Sequence, residues 1–131
     1  MSPDTSERVI LITISRFRVT GTAVADFRSG AQTVLAALSA QQGYLAGSLA
    51  RAVDDPDVWA LVTRWATAGS YRRALGGYEV RMALMPLQAL AIDEPGAYEV
   101  VAEGRDGSAR TADTDMAADW AQDPGPIRRG R

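Results

Sequence analysis

The sequence predicts an α+β fold: a four-stranded antiparallel sheet covered on one side by two helices, in the order βαββαβ. Three observations lead there. Arg8 to Phe17 is a β-branched run in which Val9, Leu11 and Thr13 alternate with Ile10, Ile12 and Ile14, the pattern of a strand that is apolar on both faces. Val24, Phe27, Ala31, Val34, Leu35 and Leu38 follow at offsets of 3, 7, 10, 11 and 14, which trace one stripe of a helix. Asp55-Pro56-Asp57-Val58 has aspartate first and proline fixing the next φ angle, a turn signature between two apolar runs, and so predicts a hairpin.

In chain order, Gly21 and Thr22 offer a break and an N-cap, so the first helix should run from Ala23 to about Gln41, with Gly43 just past its end. Tyr44 to Val53 reads as the second strand, in which Gly47 marks a bulge or a close backbone approach. The third strand is Val58 to Trp65. Thr67 then caps a second helix carrying Tyr71, Leu75, Tyr78 and Met82 at offsets of 4, 7 and 11. Gly76 and Gly77 each cost about 1 kcal/mol relative to alanine inside a helix, so a kink or break is expected there, with a further piece from about Tyr78 to Met85. Leu87 to Glu94, between Pro86 and Pro95, reads as helical turn or loop, and Ala97 to Glu103 as the last strand. Residues 1–103 thus form one domain of the split β-α-β, ferredoxin-like arrangement. From Gly104 the composition shifts to Gly, Asp, Ala, Pro and Arg, so 104–131 is expected to be a mobile tail, its Trp120 mostly solvated.

Composition removes many functions. A net charge of −2 gives no basic excess for nucleic acid. With no cysteine there is no disulfide, thiol nucleophile or thiolate-bound metal, and with no histidine there is no imidazole base, axial heme ligand or ordinary zinc site. The start MSPDTSERVI lacks the basic n-region of a secretory signal, and Val9 to Ile14 is too short to span a bilayer, so a cytoplasmic location without a membrane partner is the default expectation.

The chain's chemistry concentrates in Asp54 to Leu75. Trp59, Leu61, Thr63 and Trp65 occupy alternate positions and share one strand face, and Tyr71 follows one turn into the next helix. Two helices cover only one side of a sheet, yet the first and third strands are apolar on both. Leaving the uncovered side bare would forgo about 1.5–3 kcal/mol for each large side chain. A homodimer is therefore expected, its two sheets face to face and enclosing cavities lined by the tryptophan face.

The run GYLAGSLARAVDDPDVWALVTRWATAGSYRRAL resembles the antibiotic biosynthesis monooxygenase (ABM) family of dimeric α+β barrel proteins, in its Gly-aromatic-Leu strand, its Asp-Asp-Pro turn and its strand closing in Arg-Trp before an aromatic-bearing helix. The likeness covers about residues 8 to 103. It implies oxidation of electron-rich polycyclic phenols to quinones by oxygen, with no metal, flavin or heme. Trp65 matches the tryptophan bordering the family's cavity. Tyr71 matches an aromatic position that is a tyrosine in some oxygenases, where the phenol takes part in proton handling. With a free pKa near 10, a tyrosine is a poor base at neutral pH, so Tyr71 is expected to hold a substrate oxygen or relay a proton, with Arg81 as the anion stabiliser. Arg64 alternates onto the opposite strand face.

Tyr44, Tyr78, Trp59 and Leu61 complete the expected substrate-binding set. Leu61 stands where oxygenases of this type often carry an asparagine, four residues before the tryptophan. Heme degradation, which in the family's other branch needs a histidine and an asparagine at the position of Ile14, is not expected. The alternative to the enzyme is a non-catalytic dimeric barrel that binds a small apolar or aromatic ligand.

Overall fold

The computed structural model describes residues 9–112, in two compact units, the first ending at Tyr98 and the second beginning at Glu99. The first unit contains β1 (Leu11–Arg18), α1 (Ala23–Ser39), β2 (Tyr44–Arg51), β3 (Val58–Trp65), α2 (Ala68–Gly76), α3 (Tyr78–Leu84) and a 3-10 turn at Met85–Leu90, after which β4 (Ala97–Glu99) completes the sheet. Strand order is β2-β3-β1-β4, with β3 antiparallel to both β1 and β2. This is the α+β, ferredoxin-like arrangement that the order of elements predicts.

The predicted α1 stripe faces the sheet: Phe27, Ala31, Val34 and Leu38 are buried against Leu11, Phe17, Trp59, Leu61 and Trp65. The hairpin turn forms as expected, Val58 N–H donating to the Asp55 carbonyl at 2.9 Å and Asp57 N–H to Asp55 Oδ1 at 3.3 Å. Thr67 caps α2 by accepting from Ser70 N–H at 2.9 Å. Thr22 occupies the N-cap of α1 but makes no side-chain cap bond.

Several expectations are corrected. In the single chain β1 buries one face only: Leu11, Thr13 and Phe17 are buried, whereas Ile14 is 36% exposed and Arg16 and Arg18 lie open on the other side. The tryptophan face is the one under the helices, because β3 buries Trp59, Leu61, Thr63 and Trp65 in the same layer as α1. Those indoles therefore do not line a space between two sheets. The break expected at Gly76-Gly77 is present, Gly77 being extended (ψ 149°) with α3 starting at Tyr78, but it resets the helical phase, so the stripe read across Tyr71, Leu75, Tyr78 and Met82 does not continue: α3 buries Val80 and leaves Tyr78 and Met82 exposed.

The last predicted strand, Ala97 to Glu103, is interrupted after Glu99, and its end belongs to a separate hairpin of β5 (Ala102–Arg105) and β6 (Ser108–Thr111). Residues 104–111, assigned from sequence to the tail, contribute to that hairpin, whereas 113–131, with Trp120, lie outside the described residues. Among the described residues no helix is long and apolar enough to cross a membrane.

Gly43 ties β2 to the start of α2. Its φ is +89°, its carbonyl accepts from Ala66 N–H at 2.8 Å, and a Cβ there would land inside the Ser70 side chain. Gly43→Ala is therefore expected to lose at least about 2 kcal/mol, from the left-handed φ and the overlap together. Urea unfolding of the two proteins measures it; equal midpoints would contradict this role.

Candidate functional site

Three aromatic side chains from three elements meet at the end of β3. Trp65 is fully buried at 0% exposure; the Tyr44 ring from β2 stands edge-on to it at 5.4 Å between centroids, and the Tyr71 ring from α2 lies tilted at 5.6 Å. Such spacings suit the quadrupoles of aromatic pairs. Tyr44 is admitted by Gly47, where any Cβ would collide with its hydroxyl, and a β-bulge between Tyr44 and Ala46 sets the strand's register there. The close approach anticipated at Gly47 is thus present, and its partner is Tyr44.

Beneath the rings runs a buried polar line that sequence reasoning passed over. Trp65 Nε1 donates to Thr63 Oγ1 at 2.7 Å, and that hydroxyl is hydrogen-bonded in turn to Thr13 Oγ1 across the β1–β3 pair. Both threonines are buried. The signal was available: a threonine at the centre of an aromatic strand face has to find a buried partner. Because the indole N–H is committed to Thr63, Trp65 offers other groups its π face rather than a hydrogen bond.

Burial pushes the pKa of both Tyr71 and Tyr44 above the ordinary 10.0 by disfavouring the phenolate. At neutral pH both are donors. A raised folded-state pKa contributes stability that is complete below the unfolded value and is lost as pH rises through the folded value. The unfolding midpoint should consequently fall as pH climbs beyond about 10, and less so in Tyr71→Phe; parallel pH profiles for the two proteins would contradict the assignment.

The other predicted residues lie elsewhere. Leu61 is buried on the same strand face as Trp65, and Trp59 sits farther along β3, with Phe27 at 5.7 Å and the guanidinium carbons of Arg51 and Arg28 at 4.8 and 5.9 Å. Tyr78 is 72% exposed and borders a hollow of about 550 Å³ between α1 and α3, lined by Ala36, Ala37, Ala40 and Met82. Arg81 borders a second hollow of about 450 Å³ with Leu75, Met85 and Gln88. Neither lining includes Trp65, Tyr71 or Tyr44, so the structure brings those three together and leaves Tyr78 and Arg81 on the outer helix surface.

Fold and site together define a ferredoxin-like α+β protein with an aromatic cluster between its sheet and its helices. The chain belongs to the antibiotic biosynthesis monooxygenase family, whose model matches residues 10–83. Among solved structures it is similar to SnoaB of Streptomyces nogalater, a cofactor-independent oxygenase. A single-residue variant of that protein is 25% identical, with a TM-score of 0.62, over 70% of this chain and 92% of the other. The SnoaB structure at 1.9 Å is 24% identical with the same TM-score, over 76% and 96%. A Deinococcus radiodurans protein carrying the same family designation shares the fold at a TM-score of 0.64 and 19% identity, over 74% and 97%. No curated protein matched the sequence significantly.

Proposed function

We propose that the protein is a cytoplasmic homodimer acting as a cofactor-independent monooxygenase, which oxidises an electron-rich polycyclic phenol of the hydroxyanthrone type to a quinone with O2. The observation that carries this reading is the Trp65, Tyr71 and Tyr44 cluster, which sets two protonated phenols beside one indole. Its support is family membership and the likeness to SnoaB.

In the proposed reaction the ring CH2 of the substrate loses a proton and the delocalised anion passes one electron to O2. The resulting radical pair recombines to a peroxide anion, which takes up a proton in place of the one lost to solvent, and the hydroperoxide so formed eliminates water to leave the new carbonyl. One O2 thus supplies one quinone oxygen and one water. The tyrosines act as donors that stabilise the substrate oxyanion, since their raised pKa values make them poor bases. Trp65, fully buried beneath them, is the packing base that holds both phenols in place. Arg81, on the outer surface of α3, is left outside this mechanism.

The homodimer rests on the open sheet face, where Ile12, Ile14, Ala60 and Val62 are half-buried or exposed in the single chain. A second copy would remove that apolar area from water. The second reading, a non-catalytic dimeric barrel holding a small aromatic ligand, is favoured by Leu61, an apolar buried side chain where such oxygenases often carry asparagine. An oxygen electrode separates the two: with a hydroxyanthrone and a metal chelator present, the enzyme consumes one O2 per quinone formed. Saturable binding with uptake no faster than in buffer would leave the second reading.

A further inference from the structure

The far end of β3 gathers three side chains that carry hydrogen-bond donors. Arg28 from α1 and Arg51 at the end of β2 both lie over the Trp59 ring, 5.9 and 4.8 Å from its centroid. Arg51 is fixed there by its Nε, which donates to the Pro56 carbonyl at 2.6 Å. Among the described residues neither guanidinium has a carboxylate within ion-pairing distance; Asp55, in the adjacent turn, is engaged by Arg18 at 3.6 Å and by the Asp57 amide. Trp59 is only 6% exposed, and its Nε1 is buried without a hydrogen-bond acceptor.

Each of these facts departs from the usual pattern in the same direction. Two like charges drawn to one ring repel each other, and a buried indole N–H normally finds an acceptor. Cation–π attraction accounts for a guanidinium resting on the ring face, but it gives nothing to the N–H and leaves both charges uncompensated. A negatively charged acceptor would serve all three donors, and the planar donor fork of arginine matches carboxylate and phosphate oxygens.

We propose that Arg28, Arg51 and the Trp59 indole N–H form an oxyanion-binding site for a carboxylate or phosphate group, at the end of β3 away from Trp65. Both arginine side chains are exposed and meet the ligand first. Seating an oxygen on Nε1 moves a guanidinium off the ring, so Trp59 reports occupancy.

The test follows the Trp59 indole N–H resonance of the full chain, assigned by its loss in Trp59→Phe. Inorganic phosphate and acetate are titrated at constant ionic strength against chloride. The expected result is a saturable shift with phosphate, acetate or both, the tighter of the two identifying the source, and roughly tenfold weaker binding in Arg51→Gln and in Arg28→Gln. Arg51→Lys, which keeps the charge and loses the fork, should fall between. A response equal to that of chloride, or saturation unchanged in both glutamine variants, would overturn the site. The readout does not depend on any oxygenase activity.

Discussion

Trp65→Ala is expected to destabilise the protein by about 3–5 kcal/mol, the cost of removing a fully buried tryptophan whose surroundings relax only in part. The loss goes beyond area, because Tyr44 and Tyr71 both lose their ring contact and Thr63 loses the N–H it accepts. Thr63→Val isolates the polar part. Valine keeps the shape but leaves Trp65 Nε1 and the Thr13 hydroxyl unpaired in a buried site, for about 1–3 kcal/mol each. Thr63→Ser, which retains the hydroxyl, should recover most of it. Urea denaturation of the three variants checks the order: equal losses for valine and serine would mean that the Thr13, Thr63 and Trp65 line contributes packing alone.

Val62→Asp is the second large effect expected, and it acts on assembly. Val62 lies on the open sheet face, in register with Ile14 of β1 and Ser48 of β2. In the proposed dimer a carboxylate there would be drawn out of water at the apolar centre that Val62 forms with Ile14, inside the arginines at the strand ends. Light scattering should show the wild type at twice the chain mass, and Val62→Asp as a monomer at the same concentration. A wild type that is already monomeric at micromolar concentration would remove the packing argument, whatever the variant does.

Much of the fold is legible in the residues because its signals are local. Asp55-Pro56 sets a turn, Thr67 caps a helix, and the α1 stripe keeps its period through Leu38 without interruption. The errors arise where one residue changes a phase. The break at Gly76-Gly77 is readable, but the change of phase across it is not, so Tyr78 and Met82, which look like a continuation of the buried face, emerge on the outside. Alternation along β3 places Trp59 and Trp65 on one face, but pattern alone does not say which face the helices take, since β1 and β3 read as apolar on both.

The site divides in the same way. Trp65 and Tyr71 are close in sequence and meet in space, and Tyr44 joins them through the β2–β3 register. Arg81 and Trp59 were candidates by residue type, and the structure sets them apart from the cluster. Thr13 and Arg28 gain their significance only from long-range pairing, Thr13 with Thr63 and Arg28 with Trp59, which no local spacing encodes.

The proposal that the Trp65 cluster is a reaction site is tested most directly by oxygen uptake with a hydroxyanthrone in Tyr71→Phe. That substitution deletes one hydroxyl and leaves the ring packed against Trp65. The expected result is a fall in kcat of roughly a hundredfold to a thousandfold, the range for a lost donor to a developing oxyanion, with the fold and the affinity for a non-reactive phenol little changed. Uptake equal to that of the wild type in both Tyr71→Phe and Tyr44→Phe would contradict it.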